Sequence, residues 1–395
     1  MIPIVTTYTT VGSCECVKKN KTIPSEKLSG TAPPTTPVDK RKSEGLHAST
    51  DSIASQASNS SGDSGYTSSG ASSGSSYSEE PPVATDPRPF AGLANLGSTC
   101  YMNAVLQVIA ALYEDEAKGR CLDDLITKIN SPGKPLSEDY IRKYIERFPQ
   151  ATKDFVNLGE QQDSDEFIEH IKDHFLCLGN DANIYPITCT ETLFLKRKSD
   201  NQYDIYRYDK EPLESHMLYI GIKKGYNLSQ MIRHHQEQVL KGDVSVEIDW
   251  NKPSLCKDVD TLPPFVQQNQ AQIAPVVGYH WRGVPRDCIK QTVLRLPDKL
   301  YIKLDRNVNE SKITDSVDGT MKITIQPDPN KQNGADTFDL NGCIEHRGDG
   351  TKGGHYVAYV KRGEKWYEAD DKQVKEVGAP KAGKAYLFFY KKQKK

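Results

Sequence analysis

Residues 92–107 read GLANLGSTCYMNAVLQ, and the rest of the chain is best read outward from them. Gly97, Ser98 and Thr99 are turn formers. From Tyr101 onward, Met102, Val105, Leu106 and Ile109 recur at the spacing of one helix face, which predicts an amphipathic helix over Tyr101–Tyr113. Cys100 therefore falls at a helix N-terminus. There the positive end of the dipole and the unpaired N–H groups favour thiolate, and they can donate to an oxyanion with help from a nearby amide such as Asn95. A lone cysteine is ordinarily a small buried hydrophobe, so the case for chemistry rests on partners elsewhere in the chain.

Two such partners lie far downstream. His355 opens GGHYVAYV, where Gly353 and Gly354 allow close backbone approach and the alternation of Tyr356, Ala358 and Val360 against Val357 and Tyr359 predicts a strand. Asp370 and Asp371 follow WYEA, a second short strand after a turn at Arg362–Glu364. A hairpin would return these carboxylates to the side of His355. Thiol, base and orienting acid make up an activated nucleophile. Each element alone has an ordinary explanation: a structural histidine, as His346 is read to be, or an aspartate pair marking a turn.

Further out, three more helices are expected. Ser137–Phe148 carries Ile141, Tyr144, Ile145 and Phe148 on one face; Asp163–Leu178 opens with a capping-box pattern, Asp163 and Glu166, and stops at Gly179; Leu228–Lys241 stops at Gly242. Eleven strand-like runs lie between Thr190 and Tyr390, among them Val244–Trp250. Helices early and strands late predict an α+β fold, with a helical lobe packed on a largely antiparallel sheet.

Composition narrows the function classes. With 51 basic and 53 acidic residues the net charge is −2, so no whole-chain field draws it to nucleic acid or anionic lipid. The longest apolar stretch, Ala104–Leu112, is broken by Gln107 and is too short to insert in a bilayer. The opening MIPIVTTYTT lacks the basic and apolar regions of a secretory signal, and nine scattered cysteines form no disulfide framework, so a reducing compartment such as the cytoplasm is expected. Apolar content is only 36%, and the deficit is local: Ser49–Ser78 holds 14 serines and four glycines in 30 residues. Residues 1–88 are therefore expected to be a disordered Ser/Thr/Pro-rich tail, and residues 89–395 the folded part. No cofactor or metal is expected. Cys14 and Cys16 lack a second ligand pair, and Cys189, Cys256 and Cys288 are too isolated for a zinc site.

With these residues in place, the chain resembles the ubiquitin-specific protease family of deubiquitinating enzymes. GLANLGSTCYMNAVLQ is similar to its cysteine box, GGHYVAYVKRGEKWYEADDKQVKEV to its histidine box, and QQDSDEF (Gln161–Phe167) to the short motif between them. LPDKLYIKLDRN (Leu296–Asn307) resembles a further family strand. The likeness spans about residues 90–392 and leaves the tail outside. It implies a papain-like cysteine protease fold, with a helical thumb before about residue 188 and an antiparallel β palm and short fingers after it. It implies Cys100 as nucleophile, His355 as general base, Asp370 as the acid orienting it with Asp371 as helper, and Asn95 in the oxyanion hole. Asp163 and Glu166 would line the channel for the ubiquitin tail, whose glycines pass a narrow gate at Gly353 and Gly354. Ubiquitin and ubiquitinated proteins are the implied partners. The departures are the lack of paired cysteines in the fingers, and Ser98, Ala104 and Ala369 at positions that more usually hold Asn, Ser and an aromatic residue.

Three functions are consistent with these residues: a deubiquitinase, a protease for another ubiquitin-like modifier, and a silent ubiquitin-binding scaffold. The intact Cys100, His355 and Asp370 favour the first. A Ser-rich leader on a compact catalytic domain also suits a bacterial effector delivered to a host cytoplasm.

Overall fold

The computed structural model describes residues 89–113, 123–156, 160–176, 186–199, 202–241, 253–276, 287–308, 311–348 and 353–394. The expected tail, the stop at Gly179 and the Val244–Trp250 run all lie outside these residues.

Five helices come first: α1 (Cys100–Leu112), α2 (Asp123–Asn130), α3 (Glu138–Ile145), α4 (Gln150–Phe155) and α5 (Ser164–Leu176). β1 (Ile187–Ser199), β2 (Gln202–Asp209) and β3 (Leu213–Ser215) then open one sheet, and β4 (Leu218–Gly221) joins another. The chain returns to the first sheet by way of α6 (Leu228–Gln236), β5 (Glu237–Leu240), β6 (Ser254–Leu255), α7 (Pro264–Asn269), β7 (Pro275–Val276) and β8 (Cys288–Arg295). β9 (Lys299–Asp305) re-enters the second sheet, after which β10 (Asn307–Val308) and β11 (Ser311–Lys312) pair with each other. β12 (Lys322–Ile325), β13 (Asp336–Arg347), β14 (His355–Arg362), β15 (Lys365–Asp370), β16 (Gln373–Val377) and β17 (Leu387–Lys392) complete it.

The second sheet runs β16–β15–β14–β13–β17–β9–β4, antiparallel except for β4 on β9, with β12 added to β13. The first runs β5–β8–β1–β2–β6. The α+β expectation holds, with helices leading and strands following. Among the described residues, no helix is long and apolar enough to cross a membrane.

Helix α1 departs from its expected amphipathic form. All thirteen residues are buried, because it lies between the other helices and the second sheet, against Tyr356, Ala358 and Val360 of β14. Each fully buried Val, Leu or Ile here contributes roughly 1.5–3 kcal/mol. Gly342 of β13 permits the close approach, since a Cβ there would lie 2.9 Å from Val108. Asn103 and Gln107, one turn apart, face the preceding segment rather than solvent. Gln107 donates to the Ala91 carbonyl at 2.8 Å and Asn103 to that of Ala94 at 3.2 Å, which splints the extended lead-in to the helix.

α3 starts at the expected place, with Ser137 accepting the Tyr140 N–H. The helix expected over Leu228–Lys241 is shorter. A capping box joins Asn227 and Gln230, but the helix ends at Gln236 and residues 237–240 form β5. Pairing of Val239 with Ile289 and Leu240 with Cys288 on β8 outweighs the weak helical preference of that segment.

Candidate active site

The site is assembled from three segments that converge at the head of α1. Thr99 precedes the helix, yet its side chain does not cap it. Its hydroxyl instead accepts the Leu96 N–H at 2.9 Å and contacts the Asn95 amide oxygen at 3.3 Å. No acidic residue occupies the first helical turn. The helix head therefore carries neither a Thr99 side-chain cap nor an acidic side chain to offset its positive end.

Cys100 itself is only 4% exposed. Burial pushes its thiol up, and the nearby Asp371 carboxylate adds to this; hydrogen bonds from the Tyr356 and Tyr101 backbones and from the Gln161 side chain pull the other way. The helix terminus, expected to favour thiolate, is thus opposed by burial. Desolvation outweighs the local donors in the substrate-free site.

β14 and β15 form the expected hairpin, closed by Gly363 at φ 56°. His355 begins one strand and Asp370 ends the other, and His355 Nε2 lies 2.5 Å from Asp370 Oδ1. With Nε2 engaged, Nδ1 is the nitrogen left for proton exchange.

Asp371 behaves differently from its neighbour. It is the one non-glycine residue at positive φ (49°) among those described, a conformation Asp tolerates better than most, and it turns the chain out of the strand. Its carboxylate accepts from Asn95 Nδ2 at 2.8 Å and Asn103 Nδ2 at 2.7 Å, and its carbonyl accepts the Leu93 N–H at 2.8 Å. Asp371 therefore holds the loop ahead of Cys100. Asn95 is fixed from both ends, since its oxygen also accepts the Gly97 and Thr99 N–H groups. One amide hydrogen of Asn95 stays available beyond the bond to Asp371.

The third segment precedes α5 and supplies a residue that sequence reasoning did not single out. Gln161 clasps Gly354: its amide donates to the Gly354 carbonyl at 2.8 Å, its oxygen accepts the Gly354 N–H at 3.0 Å, and its nitrogen lies 3.6 Å from Cys100 Sγ. The available signal was its position, within QQDSDEF and just before a helix. Asp163 accepts the Tyr356 hydroxyl at 2.5 Å, tying α5 to β14. Glu166 is exposed on the first turn of α5, and burial together with Asp163 and Asp165 raises its carboxyl. Asp165 points inward to a 2.5 Å ion pair with Lys303.

The two glycines of the expected gate differ. A Cβ on Gly354 would meet His346 Nε2 at 2.2 Å and the Arg347 carbonyl at 2.5 Å, whereas one on Gly353 meets only Gln161 at 4.0 Å. Gly354 is demanded by the chain's own packing, while among the described residues only Gln161 comes within 4 Å of a Cβ on Gly353. His346 is the structural residue expected, tilted on the Tyr356 ring and contacting Lys312.

His355, Asp370 and Asp371 bring three potential ligand atoms within 4.8 Å of one another. Within this cluster His355 and Asp370 bond to each other, while the Asp371 carboxylate is engaged by Asn95 and Asn103. Among the described cysteines, Cys189, Cys256 and Cys288 are free thiols.

A buried cysteine at the head of α1, a histidine–aspartate pair on a hairpin, and helices leading into a largely antiparallel sheet fit the papain-like cysteine protease fold. The family model described as "Ubiquitin carboxyl-terminal hydrolase" matches residues 91–390, and the chain belongs to that family of cysteine-type deubiquitinating enzymes. It is similar to ubiquitin carboxyl-terminal hydrolase 14 of Caenorhabditis elegans, 26% identical over 347 residues, covering 72% of this chain and 67% of that protein. Ubiquitin carboxyl-terminal hydrolase 12 of Saccharomyces cerevisiae is 36% identical over 152 residues, which are 34% of this chain and 11% of that one. The chain thus spans two thirds of one curated relative and a small part of the other. Among solved structures, the SAGA DUB module Ubp8/Sgf11/Sus1/Sgf73 bound to monoubiquitin shares the fold, with TM-score 0.52 and 18% identity over 80% of this chain and 72% of that one.

Proposed function

We propose that this chain is a deubiquitinase that hydrolyses isopeptide or peptide bonds at the C-terminal glycine of ubiquitin, with Cys100 as nucleophile, His355 as base and Asp370 as orienting acid. One observation carries the reading: Cys100 sits at a helix N-terminus without a side-chain cap and against the main chain of Tyr356, the residue that follows His355, whose Nε2 is bonded to Asp370. In this scheme the Cys100 proton passes to His355 Nδ1 as the sulfur attacks the glycine carbonyl. The resulting oxyanion accepts from the N–H groups at the head of α1 and from the second amide hydrogen of Asn95. Collapse expels the amine, which takes the proton from the imidazolium. Water activated by His355 then hydrolyses the thioester.

Asp163, Glu166, Gly353 and Gly354 would line the path of the tail, Gly353 admitting a Gly-Gly ending and the carboxylates pairing with basic residues upstream. The chemistry needs a reduced thiol, so a reducing compartment such as the cytoplasm is the proposed setting.

Reaction with a ubiquitin bearing a C-terminal electrophile tests the reading, with Cys100→Ala alongside. A mass increase of one ubiquitin in the native chain, absent in the variant, is expected. A folded native chain that stays unlabelled would overturn it, and labelling by another modifier's probe instead would redirect the activity to that modifier.

A further inference from the structure

The β13–β14–β15 register places side chains of one sheet face in a compact set. Arg347 lies directly opposite His355, and Tyr359 opposite Glu368. Alternation then puts Glu345, Arg347, His355, Tyr359, Glu368 and Asp370 on the same face. The Arg347 guanidinium is their common partner. It donates to the Tyr359 hydroxyl at 2.8 Å and pairs with Glu368 at 3.1 Å, Glu345 at 3.6 Å and the second carboxylate oxygen of Asp370 at 3.7 Å. The first Asp370 oxygen faces His355. Arg347 is thus the cation that Glu345, Glu368 and Asp370 share on these adjacent strands, Arg306 acting on Glu345 alone among the three.

We propose that Arg347 is a positioning residue of the site, which holds the free oxygen of Asp370 and, by its charge, sets the pH range in which Cys100 and His355 exchange their proton. The inference rests on the catalytic roles proposed above. Arginine suits the place because its planar fork reaches several acceptors at once and keeps its charge throughout the working range. The sign follows from electrostatics. A fixed cation favours the less protonated form of every neighbouring acid or base, so removing it moves both limbs of the pair's pH profile upward. The other charged or titratable groups around His355 are Asp370 and Asp371 on one side and His346, itself beside Lys312 and Asp163, on another. None of these is altered in the test.

Alkylation of Cys100 by iodoacetamide, followed by mass spectrometry of its peptide across pH, reads the pair without any ubiquitin substrate. A defect in the proposed ubiquitin activity and a defect in this proposal are therefore separable. Arg347→Gln is expected to move both limbs up by about half to one pH unit, the size of one partly screened charge a few ångströms beyond the acid. Arg347→Lys is expected to keep the limbs near native while lowering kcat several-fold at unchanged KM, because charge survives and the fork does not. Glu368→Gln, which removes an anion, is expected to move the limbs downward, and it supplies the readout should Arg347→Gln fail to fold. Native limbs in a folded Arg347→Gln, or in Glu368→Gln if the first variant does not fold, would overturn the proposal. So would an Arg347→Lys profile shifted as far as that of the glutamine variant.

Discussion

Gly92 offers a direct test of how the cysteine segment is tied to the acid. A Cβ built on it would lie 2.4 Å from the Lys372 carbonyl oxygen, 2.6 Å from its carbon and 2.8 Å from the Asp371 carbonyl oxygen, all of them backbone atoms. Ordinary contact begins near 3.4 Å, so Gly92→Ala must separate the two segments by about 1 Å. Overpacking of this kind costs about 1–3 kcal/mol, and the shift also stretches the Leu93 N–H bond to the Asp371 carbonyl, worth about 1 kcal/mol. A loss of about 2–4 kcal/mol lowers the melting temperature by about 3–6 °C in a domain of this size. The same displacement carries Asn95 away from Asp371, and misplacing a reacting geometry by about 1 Å costs on the order of 10²-fold in rate. Thermal melts and kcat/KM on a ubiquitin C-terminal substrate measure the two effects. Gly221→Ala is the control, since nothing lies within 4 Å of a Cβ there. A Gly92→Ala variant that melts within about 1 °C of the native chain and keeps half its kcat/KM would refute the claimed contact.

Gln161→Glu should be worse than Gln161→Ala. The carboxylate cannot donate to the Gly354 carbonyl and sets a negative charge near Cys100 Sγ, so kcat/KM falls about 10–100-fold against roughly tenfold for alanine, as steady-state kinetics would show. Lys303→Met leaves the buried Asp165 without its cation and should destabilise the fold by about 3–5 kcal/mol at neutral pH. Burial already raises the Asp165 carboxyl, and losing Lys303 raises it further. A folded-state pKa above the unfolded value contributes its stability at low pH and loses it as pH rises. The deficit of Lys303→Met should therefore narrow below about pH 4, where Asp165 is protonated in both states, and widen toward neutrality; denaturant melts at both ends of that range check the sign.

How much of this was legible beforehand depended on whether a contact follows from local pattern. The helix head at Cys100, the hairpin joining His355 to Asp370 and the order of helices before strands all follow from spacing, turn residues and alternation. Other features needed the tertiary neighbours. Residues 237–240 continue a helical pattern in isolation but are taken up by β8, and α1 shows a single apolar face in sequence while the fold covers all of it. Gln161 was equally opaque, because its partner Gly354 lies 193 positions away.

The aspartate pair shows where sequence reading stops. As adjacent letters, Asp370 and Asp371 look like an acid and its spare. Asp370 is the last residue to keep the strand's alternation, so its carboxylate stays on the face of His355 and Arg347. Asp371 leaves that alternation through its positive φ and turns to the opposite segment, where it fixes Asn95 and Asn103. One carboxylate thus bonds the proposed base while the other fixes the loop proposed to hold the oxyanion. A single backbone dihedral divides the work between them, and no residue pattern encodes that division except the tolerance of Asp for the left-handed region. Exchange of either for alanine should therefore act on different steps: loss of Asp370 on the proton transfer, and loss of Asp371 on the geometry that receives the negative oxygen.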